Sequence, residues 1–219
     1  MKALVFDVYG TLFDVGSLVE VCQALVPEPE AFVSRWRAKQ LEYTFWRSLM
    51  GQYRDFQQIT AEALHYTLKQ YNLTTAEAEQ RRLLGAWLHL QPYPEVRAAL
   101  AKLKHYRRVI LSNGSPGMLE TLLTNTGLQT EFDAVLSVDA VKIYKPAPQV
   151  YELALQHLRI AREEIGFLSA NGFDVVGAKV FGFTVYRVNR TGTVLDELGI
   201  APDAMVQSLD GVATLLECP

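Results

Sequence analysis

Residues 108–188 contain four short apolar runs: RVIL (108–111), AVLS (134–137), IGFLS (165–169) and TVYRV (184–188). Apolar runs of this length are typical of buried β-strands. The segments before and between these runs are predicted to be helices, at Glu95–Lys104, Met118–Thr126, Gln149–Leu158 and Phe173–Phe181. Regular alternation of helix and strand predicts an α/β fold, in which a parallel sheet carries helices on both faces.

An additional strand is predicted at the start of the chain. The apolar run Ala3–Val8 is followed by Gly10, which allows the sharp turn that a chain needs on leaving a sheet. The sequence that follows is long, helix-prone and rich in Leu, Ala, Gln and Glu. We therefore expect a Rossmann-like core formed by residues 1–14 and 91–219, with an all-helical cap, residues 15–90, inserted after the first strand.

The composition is that of an ordinary globular protein. Of the 219 residues, 49% are hydrophobic and 21% are charged, and the formal net charge is −3. This charge gives no indication of a nucleic-acid or membrane-surface partner, and no apolar run is long enough to cross a bilayer. Cys22 and Cys218 form no metal or redox motif, and the N-terminal sequence is not that of a signal peptide. A cytoplasmic location is therefore expected.

Polar residues cluster at the ends of the predicted strands. These clusters are Asp7–Thr11, Ser112–Ser115, Lys145-Pro146 and Ser169–Asp174. Open parallel sheets bind their ligands beyond the carboxyl ends of the strands. The four clusters therefore predict an active site at one edge of the sheet.

Each polar group also has a purely structural interpretation. Asp7 could cap a turn or act as a nucleophile, and Lys145 could be a solvated side chain or neutralise Asp7. Ser115 could cap a helix, or the free N–H groups of that helix could bind an anion. Asn171 could cap the next helix and place Asp174 in its first turn, where the helix dipole favours a carboxylate.

The motifs as a set resemble those of the haloacid dehalogenase superfamily. The sequence FDVYGTLFD (6–14) resembles the first motif, and SNG (112–114), KP (145–146) and SANGFD (169–174) resemble the others in the same order. Cap residues 37–56 are similar to the L-2-haloacid dehalogenase branch. Phosphatases of the superfamily usually carry a second Asp two residues after the nucleophile, where this sequence has Tyr9. A leaving halide needs no proton, so Tyr9 favours carbon–halogen chemistry.

The resemblance implies hydrolysis of short (S)-2-haloalkanoic acids, such as 2-chloropropionate or a haloacetate, to (R)-2-hydroxy acids, with no metal or other cofactor. Asp7 would attack C2 and form an ester, and Asp174 would activate water to hydrolyse that ester. The residues implied to support the carboxylate and its oxyanion are Thr11, Lys145, Ser169 and Asn171. Those implied to hold the halide or the substrate are Arg37, Asn113, Phe173 and Ser112, with Tyr9, Leu41, Phe56 and Tyr151 lining or bracing the pocket.

Two alternatives to the dehalogenase interpretation remain open at this point. One is a phosphatase of the same fold, which would require magnesium and lack a leaving-group acid at Tyr9. The other is a catalytically silent member that binds a small anion or a protein through its cap, although such a protein has no need to retain Asp7, Arg37, Lys145 and Asp174 together. The resemblance also implies a homodimer.

Overall fold

The computed structural model describes residues 1–217, and within that range its main sheet has six parallel strands. The strands are β1 (Ala3–Phe6), β4 (Arg107–Ser112), β5 (Ala134–Ser137), β6 (Ile165–Ser169), β7 (Thr184–Val188) and β8 (Ala204–Val206). They are arranged in the order β5-β4-β1-β6-β7-β8, which places β1 in the interior of the sheet. The predicted α/β fold class is confirmed.

Helices cover the sheet and bury its strands. They are α5 (Val96–Lys102), α6 (Pro116–Thr126), α7 (Pro148–Leu158), α8 (Gly172–Phe181) and α9 (Leu209–Glu217). Every residue of β1 and β6 is buried, which explains why these strands are continuous apolar runs rather than alternating ones. Strand β8 and helix α9 were not predicted from the sequence. β8 has only three residues and lies at the sheet edge, so it carries too little periodicity to be recognised.

The segment after β1 is helical, as predicted. It contains α1 (Leu18–Cys22), α2 (Pro29–Leu49), α3 (Phe56–Gln70) and α4 (Glu77–Ala86). The chain enters it through β2 (Phe13–Asp14) and returns through β3 (Gln91–Pro92), and these two short strands pair antiparallel. The division into a core and a cap at residues 15 and 90 stays a prediction.

Helix α2 is long, and the chain reverses after it so that α3 packs against α2. Pro29 occupies its first turn, where a missing N–H costs no hydrogen bond. After α2, Gly51 adopts a φ of +63°, a left-handed conformation that suits glycine and lets the chain reverse. The carboxylate of Asp55 then accepts a hydrogen bond from the N–H of Gln58 at 2.9 Å and caps α3.

An aromatic cluster joins these helices to the core. The ring of Trp87 lies 5.5 Å from that of Trp36 and 5.8 Å from that of Tyr9, and Tyr9 in turn lies 5.4 Å from Phe56. All four side chains are buried. Burial of each large apolar side chain contributes about 1.5–3 kcal/mol, so the cluster holds α2 and α3 firmly over the end of β1.

Two further sequence expectations bear on the environment of the protein. No helix within residues 1–217 is long and apolar enough to span a membrane. Cys22 is a buried free thiol, whereas Cys218 lies outside the described residues.

Candidate active site

Asp7 lies at the carboxyl end of β1, where its side chain is almost fully buried. Its backbone N–H continues the sheet by donating to the carbonyl of Leu168 at 3.0 Å. The carboxylate oxygen Oδ2 accepts hydrogen bonds from the Thr11 hydroxyl at 2.8 Å and the Asn171 amide at 2.7 Å. The Ser169 hydroxyl donates to the same oxygen at 3.5 Å. One oxygen of Asp7 is therefore surrounded by donors, and its orientation is fixed.

Lys145 contacts the other oxygen of this carboxylate. Its ammonium Nζ lies 3.1 Å from Asp7 Oδ1 and 2.8 Å from Asp174 Oδ2, and the side chain is 1% exposed. The backbone N–H of Lys145 also donates to Asn113 Oδ1 at 3.1 Å. Burial alone would lower the pKa of Lys145, but the two carboxylates outweigh it and the pKa is raised. Lys145 is therefore a buried cation held between two acidic side chains.

Asp174 stands in the first turn of α8 and is completely buried. Its Oδ1 accepts a hydrogen bond from the Tyr151 hydroxyl at 2.9 Å. Burial raises the pKa of Asp174 to about 6, with Lys145 opposing that shift and Asp7 adding to it. Burial and the neighbouring Asp174 also raise the pKa of Tyr151, so its hydroxyl stays a donor. Asp174 is consequently a carboxylate that can take up a proton near neutral pH.

The two predicted helix caps differ from expectation. Asn171 and Ser115 occupy the N-cap positions of α8 and α6, but neither side chain makes a capping hydrogen bond. The Asn171 amide instead donates to Asp7 and to the carbonyl of Tyr9, at 2.7 and 3.0 Å. The Asp7 carboxylate and the Tyr9 carbonyl thus bind the Asn171 side chain in place of the helix end, and the N–H groups at the start of α6 are not capped by Ser115.

The turn after β4 brings Ser112 and Asn113 to the same edge of the sheet. The Ser112 hydroxyl accepts a hydrogen bond from the N–H of Gly114 at 3.1 Å, which tightens the turn. A Cβ at Gly114 would lie 2.9 Å from Leu119 and 3.0 Å from Tyr9, so a larger residue would require these side chains to shift. The site wall formed by Tyr9 can therefore pack directly against this backbone.

Arg37 approaches the site from α2. Its Nη1 donates to Gln40 at 2.6 Å, and the guanidinium carbon lies 5.9 Å from the centre of the Trp87 ring. Burial lowers the pKa of Arg37 to about 10, while the charge of Asp7 and the Tyr9 side chain act in the opposite direction. The charge of Arg37 therefore interacts with that of Asp7.

The remaining residues that the sequence assigned to the pocket are mainly apolar. The ring of Phe56 is fully buried, and Leu41 lies one turn after Arg37 on α2 and is half-buried. Phe173 contacts Phe45 edge to face, with 5.4 Å between the ring centres. The hydroxyl of Tyr9 is buried and has no hydrogen-bond partner among the described residues. An unpaired buried donor costs about 1–3 kcal/mol unless a ligand uses it.

Hydrogen bonds join some of the predicted residues to Asp7 but not others. A continuous set of hydrogen bonds joins Asp7, Thr11, Lys145, Ser169, Asn171, Asp174, Tyr151 and Asn113. Arg37 is coupled to this set through charge and Tyr9 through its carbonyl, whereas Ser112, Leu41, Phe56 and Phe173 make no hydrogen bond to Asp7. Phe45 was missed, although it follows Leu41 at helical spacing, i to i+4, on the face of α2 that carries Arg37.

The polar centre of this site is a pair of carboxylates, those of Asp7 and Asp174, which are bridged by the ammonium of Lys145. Lys145 Nζ lies within 3.1 Å of Asp7 Oδ1 and 2.8 Å of Asp174 Oδ2, so its positive charge serves both carboxylates. Among residues 1–217 no group of three or more His, Cys, Asp or Glu side chains is arranged to hold a metal ion. Magnesium takes oxygen ligands, and the two carboxylates that could supply them here, Asp7 and Asp174, are both bound by the Lys145 ammonium.

Known proteins resemble this chain over nearly its whole length. The family model of haloacid dehalogenase-like hydrolases matches residues 1–182. Haloacetate dehalogenase H-2 of Moraxella sp. (strain B) is 44% identical over 99% of this chain and 98% of its own. (S)-2-haloacid dehalogenase H-109 of Pseudomonas putida is 45% identical over 95% of each chain.

A solved structure has the same architecture. L-2-haloacid dehalogenase from Xanthobacter autotrophicus with chloropropionic acid covalently bound matches with a TM-score of 0.93 and 41% identity, over 100% of this chain and 99% of that one. The family model, the identities and this structural match agree with one another. The chain therefore belongs to the haloacid dehalogenase-like hydrolase family.

Proposed function

We propose that this protein is an (S)-2-haloacid dehalogenase that works without a metal. The observation that carries this proposal is the set of contacts around the Asp7 carboxylate. Donors surround its Oδ2, Oδ1 contacts the Lys145 ammonium, and the buried cation of Arg37 interacts electrostatically with the same carboxylate. The position two residues on, where phosphatases of this superfamily hold a proton donor, carries Tyr9, whose pKa burial raises. A carboxylate placed in this way suits displacement of a leaving group that needs no proton.

In the first step Asp7 Oδ1 attacks C2 of the acid. A C–O bond forms, the carbon–halogen bond breaks, and the halide leaves with the bonding electron pair, so that C2 is inverted. The Thr11, Asn171 and Ser169 donors hold the carboxylate in line, and such positioning is worth about 7–11 kcal/mol in good cases. The Lys145 ammonium contacts the attacking oxygen at 3.1 Å and helps to orient it.

We assign the binding of the departing halide to side chains on the side of the pocket that faces α2. Arg37 supplies a positive charge whose attraction for an anion is stronger in a site that excludes water, and the unpaired Tyr9 hydroxyl is a second donor. The Asn113 side chain uses its oxygen to accept from Lys145, which leaves its amide N–H groups for the halide or the substrate. Phe173, Phe56 and Leu41 surround these groups with apolar surface.

The substrate carboxylate is assigned to the turn after β4. The first-turn N–H groups of α6 receive no cap from Ser115, and the positive end of this helix favours an anion. Ser112 is buried at the same turn. This assignment orients C2 towards Asp7 and leaves the halogen facing α2.

In the second step water attacks the carbonyl carbon of the Asp7 ester. Asp174 takes one proton from this water, the bond between Cγ and Oδ1 of Asp7 breaks, and Asp174 returns the proton to the alkoxide, which leaves as the (R)-2-hydroxy acid. The second proton of the water is released to solvent. The ester carbonyl oxygen is Oδ2, so the donors on Thr11, Asn171 and Ser169 stabilise the oxyanion. Tyr151 holds Asp174 in place, and Asp7 is regenerated with one oxygen from water.

Chloride release from L-2-chloropropionate, with and without excess EDTA, tests the proposal. We expect release that EDTA does not reduce and that Asp7→Asn lowers by about 10⁴-fold or more, because no nucleophile remains. p-Nitrophenyl phosphate serves as the competing substrate. Magnesium-dependent phosphate release without chloride release would replace the proposal with a phosphatase, and neither product would indicate a silent binding protein.

We further propose that the protein is a cytoplasmic homodimer. Trp46, Leu49 and Met50 at the end of α2 are 49%, 87% and 59% exposed, and an apolar surface of this kind supports an interface between copies. Light scattering during size-exclusion chromatography would measure the mass in solution. A monomer of 24.6 kDa at micromolar concentration would contradict the dimer.

A further inference from the structure

Arg190 lies just beyond the carboxyl end of β7 and contacts the turn that follows the nucleophile. Its Nη2 donates to the carbonyl of Thr11 at 2.9 Å and its Nη1 to the carbonyl of Gly10 at 3.3 Å. The side chain is 16% exposed. Thr11 is consequently held at both ends, since its hydroxyl donates to Asp7 and accepts from the N–H of Ala170 at 2.9 Å.

The same guanidinium binds the segment by which the chain returns from the cap. Its Nε and Nη2 donate to Glu95 Oε1 at 3.0 and 2.7 Å, and its carbon lies 3.6 Å from the centre of the Tyr93 ring. Tyr93 also donates its N–H to the carbonyl of Leu12 at 3.0 Å. Arg190 thus contacts residues immediately before β2 and immediately after β3, the paired strands through which the chain enters and leaves the helical segment.

Charge explains why this contact is firm. Arginine presents several donors in one plane, and it stays charged when stacked on an aromatic ring. Here the guanidinium of Arg190 donates to two backbone carbonyls and to the carboxylate of Glu95. Glu95 also accepts a hydrogen bond from the N–H of Leu209 at 3.4 Å. Lysine could not reach all of these acceptors at once.

From this geometry we infer that Arg190 is a positioning residue. It holds the Gly10–Thr11 turn against the strands that lead into and out of the helical segment, and so keeps Thr11, and through it Asp7, in line for attack. The inference rests on the proposed function and adds to it a link between the nucleophile and the cap. Arg190 touches no reacting atom, and its effect is exerted on the step that forms the ester.

Arg162 provides a matched control at the opposite edge of the sheet. Like Arg190, it donates to a backbone carbonyl (Phe181, 3.1 Å), lies over an aromatic ring (Phe181, 4.2 Å) and pairs with a carboxylate (Glu152, 3.7 Å). It precedes β6, far along the chain from Asp7 and at the amino end of the strands. Loss of its contacts should affect stability without affecting chemistry.

The test compares Arg190→Gln, Arg190→Lys and Arg162→Gln in single-turnover reactions with L-2-chloropropionate. Ester formation is followed by rapid quenching and intact mass, and KM is measured separately. We expect Arg190→Gln to slow ester formation by about 10–100-fold, because a displacement of about 1 Å can have an effect of that size. KM should change much less, Arg190→Lys should recover part of the rate, and Arg162→Gln should form the ester at nearly the wild-type rate.

Glu95→Gln covers the case in which Arg190→Gln does not fold, since it removes the charge that anchors the guanidinium and retains Arg190. It should slow ester formation by a smaller factor than Arg190→Gln. Ester formation at the wild-type rate in whichever variant folds, or an equal loss in Arg162→Gln, would overturn the inference. A wild-type protein that forms no ester would instead contradict the proposed function.

Discussion

The two sides of the active site are built in different ways. On the sheet side the charged groups are fully bonded, with three donors on Asp7 Oδ2 and Lys145 shared between two carboxylates. On the α2 side the residues assigned to the pocket are mainly aromatic and aliphatic, and the charged one, Arg37, donates a hydrogen bond to Gln40 and interacts electrostatically with Asp7. The sheet holds reactive groups in fixed positions, and the helices remove water around them.

This difference assigns separate tasks to the two sides. Groups fixed before the reaction need no reorganisation when charge develops, and exclusion of water strengthens every interaction inside the pocket. Substitutions on the sheet side should therefore affect the chemical steps most strongly. Substitutions on the α2 side should affect halide departure and substrate choice.

The largest effect is expected for Lys145→Met, which leaves two buried carboxylates facing each other. Removal of one member of a buried ion pair typically destabilises a protein by about 3–5 kcal/mol. We expect dehalogenation to be lost and urea unfolding to occur at lower denaturant concentration. Lys39→Met is the control, because Lys39 is also buried but lies among the rings of Tyr43, Trp46 and Tyr66 in the cap. Equal loss of activity in the control would contradict the assignment.

The second-largest effect is expected for Arg37→Gln. This variant tests whether helix α2 contributes a positive charge to the site in addition to enclosing the substrate. Loss of one preorganised group that stabilises developing charge lowers kcat by about 10²–10³-fold. The effect should be larger for chloride than for a better leaving halide such as iodide. Arg35→Gln is the matched control, because Arg35 lies in the same helix as Arg37 and loses its contacts with Gln70 and Tyr66 of α3. Identical behaviour of the two variants would mean that the cap only encloses the substrate.

A smaller effect is expected from pH, through Asp174. Its pKa is raised to about 6, so the carboxylate that accepts the water proton is present above that pH and is progressively lost below it. Ester hydrolysis should therefore slow on acidification, and the Asp7 ester should accumulate at pH 5 and be visible by intact mass. The Tyr151 hydrogen bond lowers the pKa of Asp174, so Tyr151→Phe should move the acid limb to higher pH. An unchanged limb would show that another group titrates.

The smallest effect is expected for Phe45→Ala, at the contact between α2 and α8. Removal of the ring opens space beside Phe173, and pocket contacts of this kind change selectivity by about 1–3 kcal/mol per methylene accommodated. We expect the ratio of kcat/KM for 2-chlorobutyrate to that for 2-chloropropionate to rise. Val180→Ala, an exposed change on α8, should leave the ratio unaltered. An unaltered ratio in Phe45→Ala would place the chain-length limit elsewhere.

The sheet side of the active site could be predicted from the sequence, because ligands of parallel sheets bind beyond the carboxyl ends of the strands. Asp7, Lys145 and Asp174 each follow or adjoin the end of an apolar run, and the carboxyl ends of parallel strands meet at one edge. Arg190 also follows a predicted strand, Thr184–Val188, so the same rule applied there would have drawn attention to it. Its partners Gly10 and Glu95 are remote in sequence, and no local pattern identifies such a contact.

The helical side was less predictable for a physical reason. A helical face shows which side chains point inwards, but the order in which they meet the core depends on how the helix is docked. Phe45 shares the face of Arg37 and Leu41, yet its contact with Phe173 exists only once α2 lies over α8. Asn171 likewise looked like a helix cap, and the stronger attraction of the Asp7 carboxylate redirected it.

The pairing of Phe13–Asp14 with Gln91–Pro92 has an evolutionary consequence. The chain departs and comes back through neighbouring strands, so the segment between them is a cassette whose ends are already joined. Insertions, deletions or wholesale exchange of that cassette leave the order of the six strands untouched. A lineage can in this way change what its enzyme admits while inheriting the hydrolytic machinery intact.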